Sequence, residues 1–267
     1  MENKKQMLEI WNENGFYNTS MFSDIEVSEM KQEAMKLLNS RDSDWENSGP
    51  DGSQPYKNPH NDSKLFFDMV KNEKIVKMVE TLMGNDLGIP DCKIQGTQTW
   101  IYFKPPGQLG RDVHQNIFYS HCNYGEVINI SIAIDDADEG NGCLYWYPGS
   151  HKEKLCYPIP DSSHTEFDSK DDERIKTNPT EWPNERGKPL YVPGTWIDNK
   201  WVDKYPKTYV PIKAGSITPL DSHVLHGSDA NNSKDRWRRS FLIQYQKIGR
   251  ISFVGESMHR ESIDVYN

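Results

Sequence analysis

The apolar residues in the first third of the chain recur at helical spacing. They predict a short helix over residues 5–15, a second helix that begins at the N-cap pair Ser23-Asp24, and a third, amphipathic helix over residues 63–83 that ends at Gly84. The second and third segments each carry a continuous apolar stripe. We therefore expect both helices to pack one face against a core.

After Pro90 the pattern changes from a helical period to the period of a strand. Two clear strands are predicted at Gln95–Lys104 and Val127–Asp135, and the second alternates isoleucines with small or polar residues, so that its two faces differ. Four shorter strands are predicted at Cys143–Tyr147, Tyr209–Ile212, Ser216–Pro219 and Ser240–Gln246. Helices followed by short strands predict an α+β fold with an antiparallel barrel or sandwich rather than a doubly wound fold.

Two segments are too long for ordinary connections. Residues 39–62 are rich in Ser, Asn, Gly and Pro, and the insertion over residues 152–207 holds seven prolines and many charges. We expect both to cover the mouth of a pocket. The whole chain, residues 1–267, is interpreted as a single domain with these two segments as its lids.

Composition narrows the class of protein. Hydrophobic residues make up 35% of the chain, enough for a substantial core, and no stretch is long and apolar enough for a membrane span or a signal peptide. The net charge of −9 opposes non-specific binding to nucleic acid or anionic lipid. We expect a cytoplasmic monomer or homodimer that acts on a small molecule, with reduced and mostly buried cysteines.

The spacing of two histidines suggests a metal centre. His114 lies two residues before Asn116, just ahead of the isoleucine-rich strand, and His226 follows a later strand pattern. Two imidazoles from separate strands, with an oxygen ligand two residues after the first, have the layout of the facial triad that binds iron(II). Residues i and i+2 of a strand share one face, so both members of the first pair can point inward.

Longer motifs surround these histidines. The run SIAIDDADEGNGCLYWYPGSHK, the later run KAGSITPLDSHVLHGSDANNSKDRWRRSFLIQY and the strand QTWIYFKPPG together resemble the phytanoyl-CoA dioxygenase family over nearly the whole chain. The resemblance implies a double-stranded β-helix, a cupin-like jelly-roll barrel, with N-terminal helices packed on one sheet. It also implies iron(II), the cosubstrate 2-oxoglutarate and O2, which together oxidise a substrate C–H bond.

The same resemblance assigns roles to individual residues. It makes His114 and His226 the iron-binding histidines and Arg238, rather than the adjacent Arg239, the partner of the distal carboxylate of 2-oxoglutarate. A guanidinium group meets a carboxylate with two parallel hydrogen bonds, which suits a dicarboxylate cosubstrate. Further cosubstrate contacts are predicted for Ser228, Gln98 and Tyr102. His121, His151 and His223 receive no role.

One position departs from the family pattern. Relatives carry His-x-Asp, whereas this chain has His114-Gln115-Asn116. Asparagine offers a neutral carbonyl oxygen in place of a carboxylate, so iron should bind more weakly or an anion should be recruited. Three explanations stay open: a working oxygenase with a weak ligand, a halogenase-like variant, and a catalytically silent relative or engineered inactive form.

The sequence therefore predicts an iron(II) and 2-oxoglutarate-dependent oxygenase that oxidises, most simply by hydroxylation, an aliphatic C–H bond of a small polar metabolite. A silent protein that binds the cosubstrate is the main alternative. A cupin-like zinc or manganese protein without 2-oxoglutarate is a second alternative, against which the Arg238 anchor argues.

Overall fold

The computed structural model describes residues 4–40, 55–116, 124–153, 156, 197, 199–249 and 262–267. The helices in these parts of the chain are α1 (Lys4–Asn14), α2 (Asp24–Asn39), α3 (Lys64–Val70), α4 (Glu73–Leu87) and α5 (Asn199–Val202). The strands are β1 (Thr19–Ser20), β2 (Tyr56–Lys57), β3 (Ile94–Lys104), β4 (Arg111–His114), β5 (Val127–Ala133), β6 (Leu144–Trp146), β7 (Thr208–Tyr209), β8 (Ser216–Asp221), β9 (His226–Ser228) and β10 (Arg238–Lys247).

The strands form two antiparallel sheets. A six-stranded sheet has the order β1-β8-β5-β10-β3-β2, and a four-stranded sheet has the order β4-β9-β6-β7. The predicted mixture of helices and antiparallel strands is confirmed. The described strands do not join into one closed barrel, because hydrogen bonding leaves the two sheets separate.

The two faces of the six-stranded sheet have different environments. The isoleucines of β5 (Ile128, Ile130 and Ile132) lie in the main core with residues of α1 to α4. The alternate residue Ser131 lines a cavity on the opposite face. The alternation predicted for this strand is therefore confirmed. Its isoleucine face packs in the core with the helices, and its face of small and polar residues points toward the cavity between the sheets.

Local sequence signals mark the end of α1 and the start of α2. Gly15, with φ of 80°, follows the end of α1. At the start of α2, the Ser23 Oγ accepts the Glu26 N–H at 3.4 Å and the Glu26 Oε2 accepts the Ser23 N–H at 2.8 Å. This reciprocal capping box satisfies two amide groups that the first turn of a helix leaves without partners.

The prediction of a single helix over residues 63–83 is wrong. The segment forms α3 and α4, which are separated at Lys71 and Asn72. The Asn72 Oδ1 accepts the N–H groups of Lys74 at 3.0 Å and Ile75 at 3.4 Å, so Asn72 starts a new helix. Gly84 lies within α4, which ends only at Leu87.

The two predicted lids are only partly described. Within the segment 39–62, Asn39 still belongs to α2, residues Tyr56–Lys57 pair with β3 as β2, and Pro59–Asn61 form a 3-10 turn. Short regular elements thus lie at both ends of this segment, while residues 41–54 lie outside the described part. Most of the insertion 152–207 also lies outside it, and α5 is its described helix.

Two other sequence expectations concern thiols and membranes. Cys92, Cys143 and Cys156 are buried free thiols, as predicted, and Cys122 lies outside the described residues. Among the helices that the structure describes, none has both the length and the apolar character needed to cross a membrane.

Helix α1 docks on α4 through a buried polar contact. The Trp11 Nε1 donates to both oxygens of Asp86, at 2.9 and 3.1 Å. Burial raises the pKa of the Asp86 carboxyl to about 7, partly opposed by the Trp11 hydrogen bond and reinforced by the nearby Asp221. The carboxyl therefore keeps its proton in the folded protein at a pH where the unfolded chain has lost it.

This difference predicts how stability depends on pH. Between the unfolded pKa near 4 and the folded pKa near 7, folding takes up a proton, so stability falls as the pH rises through this window. Asp86→Asn keeps an oxygen acceptor for Trp11 and does not ionise. We expect its free energy of unfolding, measured by urea denaturation and compared with that of the wild type, to rise progressively from acidic to mildly alkaline pH, by a few kcal/mol because one pKa unit is about 1.4 kcal/mol. A difference that does not vary with pH would contradict the raised pKa.

Candidate functional site

A cavity of about 70 Å³ lies between the two sheets. Its wall includes residues of β3, β4, β9 and β10. Six of the seven residues predicted for the site lie on this wall, namely Tyr102, His114, Asn116, His226, Ser228 and Arg238. Gln98 lies further back along β3 and is not among the residues that line the cavity.

The two histidines are brought together by strand pairing. His114, at the end of β4, stands directly opposite His226, at the start of β9. Their ring centroids are 4.4 Å apart. At this separation a nitrogen of each ring can bind one metal ion, given metal–nitrogen bonds of about 2.1 Å.

The surroundings of His226 select the tautomer that a metal requires. Its Nδ1 lies 2.9 Å from the carbonyl oxygen of Val224, which can only accept, so Nδ1 carries the hydrogen and Nε2 keeps its lone pair. Burial lowers the pKa of His226 to about 4, so the imidazole is neutral at neutral pH. Trp146 stacks on the same ring at 5.1 Å and restricts its rotation.

The third expected donor lies on the same cavity wall. Asn116 follows β4 by two residues. Within the described ranges no group of three His, Cys, Asp or Glu residues is arranged to hold a metal ion. The candidate donor set consists of two imidazoles and a neutral amide. It fits a divalent transition ion such as iron(II) that takes its anionic ligands from bound small molecules.

Two cations stand beside each other on the wall opposite the histidines. Lys104 of β3 and Arg238 of β10 are direct partners across the antiparallel pair, and both line the cavity. Lys104 is only 2% exposed, and its Nζ donates to the Ser228 Oγ at 2.9 Å and to the Asp229 carbonyl at 2.6 Å. Like charges directly opposite each other repel, so an anion bound between them would be strongly favoured.

Arg239 points away from this cavity wall. Its Nε and Nη2 donate to the two oxygens of Asp135, at 2.7 and 2.8 Å. The alternation of the strand thus leaves Arg238 as the arginine of the pair that lines the cavity, on the side predicted for the cosubstrate anchor.

Two charged residues of the wall were missed from the sequence, Lys104 and Arg111. Lys104 lies two positions after Tyr102 on the same strand, so alternation alone would have turned it inward. Arg111 lies three residues before His114 on β4 and is half-buried. A four-residue strand shows too little alternation to reveal which way that side chain points.

The other histidines lie elsewhere or outside the described residues. The His223 Nδ1 lies 3.1 Å from Asp221, and the ring is 5.2 Å from that of Tyr124, away from the cavity wall. The His223 carbonyl, however, accepts a hydrogen bond from the Gln115 Nε2 at 2.5 Å. This contact fixes the segment between His114 and Asn116. His151 is buried near Gly15, and His121 is not described.

Glycine at position 227 allows the close packing of β4 on β9. A Cβ there would lie 2.4 Å from the Tyr145 Oη and 2.7 Å from the Arg111 carbonyl. Both distances are far below van der Waals contact. The pairing that sets His114 opposite His226 therefore depends on the absence of a side chain at this position.

We predict that Gly227→Ala separates the two strands. The added methyl group should lower the free energy of unfolding by about 1–3 kcal/mol and should weaken cobalt(II) binding, measured by titration of the metal absorption bands. Gly249→Ala is the control, because it has a positive φ of 78° but open space around it. The control should lose about 1 kcal/mol and keep its metal affinity. Equal metal affinity in both variants would contradict the role of Gly227.

Comparison with known families gives one match across most of the chain. Residues 11–240 match the model of the family described as phytanoyl-CoA dioxygenase (PhyH).

Curated relatives carry related names. A probable alpha-ketoglutarate-dependent hypophosphite dioxygenase of Stutzerimonas stutzeri is 30% identical over 198 residues, which cover 71% of this chain and 55% of that protein. An ectoine dioxygenase of Nocardia farcinica is 24% identical over 196 residues, which cover 71% of this chain and 57% of that protein. The chain thus spans about half the length of these relatives.

Solved structures share the fold. The epimerase SnoN in complex with Fe3+, alpha ketoglutarate and nogalamycin RO has a TM-score of 0.67 and 17% identity, covering 91% of this chain and 83% of that chain. EctD from S. alaskensis with 2-oxoglutarate and 5-hydroxyectoine has a TM-score of 0.67 and 15% identity, covering 97% of this chain and 84% of that chain. At these identities the likeness shows the fold alone.

Proposed function

Because the chain belongs to the phytanoyl-CoA dioxygenase family, we propose that it is a non-haem iron(II) and 2-oxoglutarate-dependent oxygenase that hydroxylates an aliphatic C–H bond of a small polar metabolite. One observation carries the proposal. One cavity is lined by His114 and His226, whose ring centroids are 4.4 Å apart, and on the other sheet by the buried Lys104 and the half-buried Arg238. The names of the relatives and the ligands in the titles of the solved structures support iron and 2-oxoglutarate.

The proposal includes a finer description of the fold. Two antiparallel sheets with helices on one face, together with the likeness to solved oxygenases, support a double-stranded β-helix formed by a single domain over residues 1–267. The lids over residues 39–62 and 152–207, the cytoplasmic location and the monomeric or dimeric state remain predictions.

The residues of the cavity have separable tasks. The imidazoles of His114 and His226 hold the metal, and the Asn116 amide oxygen takes the third protein position. Arg238, Lys104 and the Ser228 hydroxyl bind the distal carboxylate of 2-oxoglutarate with charge-assisted hydrogen bonds. Tyr102, which lines the cavity, is a further proposed contact of the cosubstrate, whereas the position of Gln98 off the cavity wall does not support the contact expected for it.

Other groups keep water away from the reacting carbon. Leu144, Leu220 and Leu242 form an apolar part of the cavity wall. Iron(II) and 2-oxoglutarate, when bound, supply the oxidant made from O2 that attacks a substrate C–H bond. The apolar wall restricts solvent access to that carbon, and the polar wall fixes the orientation of the cosubstrate.

We predict that the cosubstrate anchor is a pair of cations. Arg238→Gln and Lys104→Met should each weaken 2-oxoglutarate binding by about 30-fold or more, because losing one partner of a buried charge contact commonly costs 2–5 kcal/mol. Isothermal titration with manganese(II) present measures this affinity. Arg236→Gln is the matched control, since that arginine pairs with Asp138 on the surface. Unchanged affinity in both cavity variants would favour a cupin-like metal protein without this cosubstrate.

Asn116 separates an active enzyme from a silent relative. We expect the wild type to release succinate with iron(II), 2-oxoglutarate and O2, and Asn116→Asp to need less iron for half-maximal rate because a carboxylate is the better ligand for this cation. If only the aspartate variant turns over, the protein is a silent binder of the cosubstrate. A chloride-dependent mass of the product would instead indicate the halogenase-like variant.

A further inference from the structure

Asp229 is the first residue after β9 and directly follows Ser228 of the cavity wall. Its backbone carbonyl accepts a hydrogen bond from the Lys104 Nζ at 2.6 Å. The same ammonium group donates to the Ser228 Oγ at 2.9 Å. The position of the Asp229 carbonyl therefore helps to determine where the Lys104 ammonium group lies in the cavity wall.

The backbone of Asp229 is closely packed beyond the end of its strand. A Cβ at Gly142 would lie 2.6 Å from the Asp229 carbonyl oxygen, and a Cβ at Gly110 would lie 3.1 Å from the Asp229 Cα. The pairing of β9 with its neighbours β4 and β6 ends at Ser228. Contacts outside the sheet ladder therefore orient the peptide group that binds Lys104.

The side chain of Asp229 contacts the end of the insertion 152–207. Its carboxylate accepts a hydrogen bond from the Tyr209 hydroxyl and forms an ion pair with the Lys207 Nζ at 3.3 Å. Lys207 is the last residue of the insertion, and Tyr209 belongs to β7, which pairs with β6. The hydrogen bond to Asp229 raises the pKa of the Tyr209 hydroxyl, which therefore keeps its proton and acts as the donor.

Two aromatic rings hold Lys207 beside Asp229. The Lys207 Nζ lies 3.8 Å from the ring centroid of Tyr145 and 4.8 Å from that of Tyr209. The side chains of Lys207 and Asp229 are 39% and 44% exposed, so their ion pair alone would stabilise little. The cation–π contacts and the Tyr209 hydroxyl add to it, and together they fix the carboxylate of Asp229.

The insertion is also fastened to itself near the same place. Glu153, close to its start, accepts hydrogen bonds from Lys204 and from the Tyr205 hydroxyl, close to its end. The described start and end of the insertion are therefore joined to each other. Because Lys207 follows within three residues of Lys204, this joined base is connected to Asp229.

We propose that Asp229 is a positioning residue that couples the end of the insertion to Lys104. Its side chain takes its position from Lys207 and Tyr209, and its carbonyl in turn orients the Lys104 ammonium group. The inference rests on the proposed function, in which Lys104 binds the distal carboxylate of 2-oxoglutarate. Asp229 acts through Lys104, so the end of the insertion influences the affinity for the cosubstrate.

The test measures 2-oxoglutarate affinity by isothermal titration of the full chain with manganese(II) present. Asp229→Ala keeps the backbone carbonyl but removes both side-chain contacts, and we expect it to weaken 2-oxoglutarate binding about three- to tenfold. Lys207→Met and Tyr209→Phe each remove one contact and should give smaller losses. Cobalt(II) affinity should change less than about threefold in all three variants, because the pairing of β4 with β9 is untouched.

Double variants separate positioning from a general loss of structure. Tyr209→Phe should not weaken 2-oxoglutarate binding further in Asp229→Ala, and Asp229→Ala should not weaken it further in Lys104→Met, because each pair acts through one series of contacts. Asp68→Ala is the matched control: it removes a similarly exposed ion-pair partner on α3 and should bind as the wild type does. Asp229→Asn keeps an oxygen acceptor for Tyr209, so it should give an intermediate loss and serves if the alanine variant folds poorly.

Unchanged 2-oxoglutarate affinity in Asp229→Ala and Asp229→Asn would overturn the inference. Equal losses of cobalt(II) and 2-oxoglutarate binding would also overturn it, because they would indicate a general distortion of the cavity. A third contrary result is a loss in Asp229→Ala that persists in full in the Lys104→Met background. Failure of the wild type to bind 2-oxoglutarate would instead remove the proposed function, and this inference with it.

Discussion

The antiparallel pairing of β4 with β9 is the interaction on which the site depends. Both strands are very short, so few ladder hydrogen bonds of their own hold them together. A slip of one residue would turn an imidazole to the other face of the sheet. Two features outside the ladder support this pairing. The absence of a side chain at Gly227 allows β4 and β9 to approach closely, and the Gln115 side chain donates to the His223 carbonyl and accepts the Cys156 N–H.

A second constraint is electrostatic. Lys104 is buried beside Arg238, and burying its ammonium group costs desolvation energy that the hydrogen bonds to Ser228 and Asp229 help to offset. A ligand that binds only to the folded chain stabilises it, so binding of the proposed cosubstrate would be thermodynamically linked to the stability of the fold.

Signals that lie close together in the sequence predicted the fold best. The N-cap at Ser23 and the alternating isoleucines of β5 depend on neighbours within a few residues, and both were predicted from local sequence. The break at Asn72 was missed because one apolar pattern continues through two helices, and only the turn of the Asn72 side chain onto the next amides separates them. Strand β2 was missed because its pairing with β3 joins distant segments.

The sequence alone determined the chemical inventory of the candidate site: two histidines at motif spacing, an asparagine two residues after the first, and an arginine beyond the second. Only the tertiary structure decided that Lys104 and Arg111 join them, and that Gln98 lies off the cavity wall. The reason is physical. The type of an element and the direction of its side chains follow from residues that are close together in the sequence. The partner of a short strand, in contrast, is determined by packing between segments that are distant along the chain.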